Sequence, residues 1–106
     1  MSEIKLRKPL LVDNEEKTAI EYDFESVKPI QYINMVKRLS KKQQISVPEV
    51  NMDVQLGYFS LASGIPVGDL KRLESIQDFN EIISKTRDFL LDASEETEEE
   101  MNSSEQ

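Results

Sequence analysis

Three short stretches carry residue types that could do chemistry. "LASGIPVGDL", Leu61–Leu70, holds two of the chain's three glycines and one of its four prolines. A phosphate-gripping loop sets its glycines between a strand and a helix, with Lys and Ser/Thr placed for phosphate and magnesium. Here the Gly64–Gly68 spacing fits no such fingerprint, no Gly-Lys-Ser/Thr exists, and Gly64 follows a helical pattern. The stretch therefore reads as a helix stop and a tight reversal. Asp13, Glu15 and Glu16 lack the alternating ligand positions and closing glutamate of a calcium loop, and read as a solvated turn. Lys37, Arg38, Lys41 and Lys42 form a cationic cluster. It could touch nucleic acid, face solvent, or receive the acidic end of the chain.

The residues that are missing narrow the chemistry further. With no His and no Cys, the commonest general base, thiol nucleophiles and the usual zinc ligands are all gone. The scattered body carboxylates offer no pair suited to acid–base work, so we expect no enzyme and assign no catalytic, cofactor or metal residues. A carboxylate-dependent metal site is the surviving enzymatic alternative. Absent cysteine means absent disulfides, no window approaches the roughly eighteen apolar residues of a membrane span, and the start of the chain is charged. The expected location is the cytoplasm, without a membrane partner.

Net charge is −8 over 106 residues, and it is unevenly placed. Asp92, Glu95, Glu96, Glu98, Glu99, Glu100 and Glu105 stand in the last fifteen residues without any Lys or Arg. The body, residues 1–91, is left with fourteen acids against thirteen bases. Such a balance offers no cation excess to displace phosphate counterions, so nucleic acid is not an expected partner.

Several elements must position these groups. Ile4 and Leu6 alternate with Lys5 and Arg7, a strand pattern that Pro9 should end. After the turn formers of Val12–Lys17, a second alternation through Thr18, Ile20, Tyr22 and Phe24 completes an antiparallel hairpin. Lys5 and Arg7 would then face Glu21 and Asp23 across the strands. A first helix starts near Ser26–Pro29, with Pro29 in its first turn and Tyr32, Ile33, Met35, Val36 and Leu39 on one side. Gln43–Asn51 is a connector. The second helix runs from about Asn51 to Ser63, and a short turn over Val67–Leu73 follows. The "SIQD" of Ser75–Asp78 is a capping box that opens the last helix. On that helix Ile76, Phe79, Ile82, Ile83, Thr86, Phe89 and Leu90 share one face, while Glu81 and Lys85 pair at i, i+4. After Leu91 apolar periodicity stops, and residues 92–106 are expected to be a disordered acidic tail.

The second helix carries two apolar stripes. At 100° per residue Met52, Leu56 and Phe59 line one side, with Val54, Tyr58 and Leu61 nearly opposite. A surface helix ordinarily has one stripe. Either the helix is central and packed on both sides, or the second stripe is left for a partner. Val54, Tyr58 and Leu61 are accordingly the candidate partner-binding or self-association residues.

The order of parts, "IKLRKPL", "IEYDFESV", a helix, "SGIPVGDL", "SIQDF" and a final helix ending "DFLL", covers about Ile4 to Leu91. It resembles the tail assembly chaperones of long-tailed bacteriophages, the group with Mu-like and P2-like contractile-tail relatives. The resemblance implies a non-catalytic factor that binds the tape measure protein and keeps it soluble. It further implies help in recruiting tail tube protein, and absence from the mature virion. The expected fold is α+β: an N-terminal antiparallel β-hairpin packed on three main helices over residues 1–91, followed by the tail. The rival reading is a small acidic regulator whose tail mimics nucleic acid and occupies a host protein.

Overall fold

The computed structural model describes side chains for residues 2–91. The expectation of a disordered tail over 92–106 lies outside those residues. Elements run in the order β1 (Ser2–Val12), β2 (Glu15–Tyr22), a 3-10 turn (Phe24–Ser26), α1 (Pro29–Ser40), a 3-10 turn (Pro48–Val50), α2 (Met52–Ser63), α3 (Val67–Leu70) and α4 (Ile76–Glu105). The class is α+β, a two-stranded antiparallel hairpin against three main helices.

The hairpin turns on only two residues, Asp13 and Asn14, with φ of 52° and 63°. Two successive positive φ values give the turn whose twist matches the strands, and Asn and Asp tolerate that region better than most side chains. Pro9 does not end β1. Leu6, Arg7, Lys8 and Pro9 all stand opposite the single residue Thr18, between the pairs Lys5–Ala19 and Leu10–Lys17. The strand bulges through its proline and resumes pairing beyond it.

This bulge overturns the expected charge pairing. Glu21 faces Glu3, and Lys5 faces Ala19. Arg7 reaches α4 instead, with Nη1 3.1 Å from Asp78 Oδ1 and 3.5 Å from Glu81 Oε1. Glu81 thus turns to the hairpin, and among the described residues no ion pair joins it to Lys85. The capping box is half formed for the same reason. Ser75 Oγ accepts from Asp78 N–H at 3.3 Å, but the Asp78 carboxylate accepts from Arg7 N–H at 2.8 Å and Lys8 N–H at 3.2 Å. The bulge freed two backbone donors, and a fully buried carboxylate at the start of α4 satisfies them.

α2 is the central element. One side packs Leu56 and Phe59 against Ile4, Leu10, Ile20 and Tyr22 of the hairpin and Ile82 of α4. The other packs Val54 and Tyr58 against Met35, Tyr32 and Leu39 of α1 and against Phe89 and Leu90 of α4. Phe24 joins both clusters, with ring centroids 5.0 Å from Phe89 and 6.0 Å from Tyr58. Asn51 starts α2 by accepting from Asp53 and Val54 N–H through its side chain, and Gly64, at φ 78°, stops it. "LASGIPVGDL" is therefore a helix stop followed by the short α3. Ile76 departs from the expected apolar face of α4: it is 68% exposed.

Candidate functional site

Of the three candidate partner-binding residues, two lie inside. Val54 is fully buried and the Tyr58 ring nearly so. The Tyr58 hydroxyl donates to Phe24 carbonyl at 2.8 Å. Burial pushes the Tyr58 phenol above its ordinary value of 10.0, and the neighbouring Tyr32 and Asp23 push it the same way. Tyr32 is raised too, by burial and then by Glu49. Both rings are structural, so the second stripe of α2 is mostly core. The hairpin, α1 and the far end of α4 together supply enough cover for both sides of the helix.

Leu61 is different. Only partly buried, it lies on the floor of an open groove of about 520 Å³ between α1, α2 and α3. Met35, Leu39, Gly57, Leu61 and Val67 give the groove its apolar lining. Gly57 is what lets α1 and α2 approach there: a Cβ on it would come within 2.9 Å of Met35 Sδ. Around this floor stand Arg38, Lys41 and Lys42 from the end of α1, and Lys71 just after α3. A shallower depression alongside adds Lys37 and shares Arg38, Lys41 and Leu61. None of these five cations has an ion-pair partner among the described residues. The one acid on the rim, Asp53, accepts from Gln43 Nε2 at 2.6 Å.

The cationic cluster of α1 was visible in the sequence, but its company was not. Lys71 and Val67 are about thirty residues away along the chain, and only the Gly64 stop, with the reversal at Pro66, brings them to it. Sequence reasoning missed both. The available signal was a Lys, Lys71, inside the short turn expected over Val67–Leu73 beyond the Gly64 stop.

Asp13, Glu15 and Glu16 sit at the hairpin tip and are exposed; Lys17 Nζ lies 3.3 Å from Glu15 Oε1. Among the described residues no three His, Cys, Asp or Glu side chains come together to hold a metal ion. No helix there is long and apolar enough to cross a membrane. A groove with an apolar floor and, among the described residues, cations without ion-pair partners around it suits an apolar group that has negative charge beside it. No family model, curated protein or solved structure matches the chain.

Proposed function

We propose that the protein is a non-catalytic tail assembly chaperone that holds an apolar segment of the tape measure protein until tail tube subunits cover it. One observation carries the reading: the open groove between α1, α2 and α3, with Leu61 on its apolar lining. A client helix laid in that groove would bury Leu61, Leu39 and Val67 by helix-in-groove recognition. Half-exposed Val47, Val50 and Met52, around the 3-10 turn before α2, extend the apolar surface available to a long client. The resemblance in element order supports the choice of client. On this reading the protein works in the host cytoplasm and leaves before the virion is complete.

Co-expression with a tape measure protein tests it. The wild-type chain should move the client from the insoluble to the soluble fraction, and Leu61→Asp should abolish that effect while its helical circular dichroism stays unchanged. Equal rescue by Leu61→Asp would overturn the proposal. Strongly salt-dependent binding of residues 92–106 alone to a basic host protein would favour the acidic-regulator reading.

A further inference from the structure

Two surfaces of the described body are complementary in both charge and apolar content. One is the groove, lined by Leu61 and rimmed by Arg38, Lys41, Lys42 and Lys71, which lack ion-pair partners among the described residues. The other is the tip of the hairpin, which neither the core nor the proposed function employs. Leu11 is 53% exposed there, and Asp13, Glu15 and Glu16 are exposed beside it. Leu11 stands directly opposite Glu16 across the strands, so an apolar side chain and a carboxylate share one face about 5 Å apart. Lys17, the cation that follows the turn, lies 3.3 Å from Glu15. It offsets one of the three acids and leaves Asp13 and Glu16 without an ion-pair partner among the described residues.

Shape favours the same pairing. The turn uses only Asp13 and Asn14, so the tip is a narrow projection of two strands about 5 Å apart. No hairpin residue lines the groove, so a tip that fills it comes from another copy. The other exposed large apolar side chains match less well. Ile30 and Ile33 lie on α1, which contains no acid. Val47, Val50, Met52 and Ile76 do not share a turn with three exposed carboxylates. The bodies of two copies do not strongly repel, because residues 1–91 hold fourteen acids against thirteen bases. A nucleic acid is a poorer match, since no aromatic ring lines the groove for a base to stack on.

We infer that this groove docks the hairpin tip of a second copy of the chain, with Leu11 on Leu61 and Asp13, Glu15 and Glu16 against Arg38, Lys41, Lys42 and Lys71. The two surfaces differ, so the contact is head-to-tail, and a joined pair still offers one free tip and one free groove. A second copy and a client then exclude each other at Leu61. That competition rests on the client reading above, whereas the contact is tested with no client present, so the two fail separately.

Two full-length variants, each changed only at exposed residues, test the contact. The tip variant carries Leu11→Ser, Glu15→Gln and Glu16→Gln; the groove variant carries Arg38→Gln and Lys41→Gln. An interface this small belongs to the weak class, with Kd on the order of 0.1 mM. The mean mass of the wild-type chain in sedimentation should therefore rise with concentration across that value. Each variant alone should stay a single chain, with circular dichroism unchanged. Mixing them joins the intact groove of one to the intact tip of the other, so association should return and stop at one-to-one pairs. In that mixture the amides of Gly57, Leu61 and Val67 should shift in the tip variant, and those of Leu11–Glu16 in the groove variant. A wild-type chain that stays single to ten times that concentration overturns the inference. So does either variant associating alone as the wild type does, or a mixture that stays single. Groove amides that shift only when a single-stranded oligonucleotide is added also overturn it, and would give the rim to phosphate.

Discussion

Replacing the buried Asp78 should do more damage than any other single change of a charged side chain among the described residues, although its partner Arg7 is half exposed. The Asp78 side chain has no accessible surface and holds Arg7 N–H, Lys8 N–H and Arg7 Nη1. Hydrogen bonds to a charged group are worth about 1.5–3 kcal/mol each, and a buried donor left unpaired costs about 1–3 kcal/mol. Asp78→Ala strands two backbone donors of the β1 bulge at once, so a loss of about 4 kcal/mol is expected. The roughly ninety residues of the body confer about 5–13 kcal/mol, so the variant should be close to unfolding, with Tm lower by roughly 15 °C or more. Arg7→Ala leaves the carboxylate its two backbone donors and removes an ion pair whose cation is 55% exposed, costing less than about 1 kcal/mol. Urea denaturation followed by circular dichroism measures both. If Asp78→Ala costs no more than Arg7→Ala, the carboxylate is not what holds the bulge, and the reasoning fails.

Other consequences are as direct. Tyr58→Phe removes the hydroxyl that bonds Phe24 carbonyl and should cost about 1 kcal/mol in urea denaturation. Tyr58 and Tyr32 have folded-state pKa values above the ordinary 10.0, so the fold holds their protons more tightly than the unfolded chain does. Their contribution is complete below pH 10.0 and is lost as pH rises through the folded values; an alkaline melting series should show this decline, flattened in the Tyr58→Phe, Tyr32→Phe double variant. Gly57→Val should push the Met35 side chain aside, since even a Cβ there meets Sδ at 2.9 Å, costing about 1–3 kcal/mol by overpacking and weakening any groove ligand. Asn14→Gly, at φ 63°, should leave stability equal or raise it by a few tenths to about 1 kcal/mol in thermal melts.

The hairpin, α1, α2 and α4 were legible because period-2 and period-3.6 patterns, Pro29, Asn51, Gly64 and Ser75 are local signals. Three features were not local. The continuation of β1 past Pro9 depends on Asp78, seventy residues on, which takes the donors that the bulge exposes. Glu81 looked like a helix-surface partner for Lys85, but the bulge brings Arg7 within reach. Leu61 shared a stripe with Val54 and Tyr58, yet the stripe divides: α1 covers the first part, and the gap above Gly57 leaves the last part open. Helical angle assigns a side of α2 but not which stretch of that side a neighbour covers. The same limit hid the groove, two of whose lining residues, Val67 and Lys71, come from beyond the reversal at Pro66.

The central claim is that the client sits on Leu61. A photo-crosslinking amino acid at Leu61, in chain purified together with a tape measure protein, tests this most directly, with the same group at Leu11 as control. Leu11 is 53% exposed on the outward side of the hairpin, away from the groove. A client adduct from position 61 and none from position 11 is the predicted result. An adduct from position 11 with none from position 61 would contradict the account.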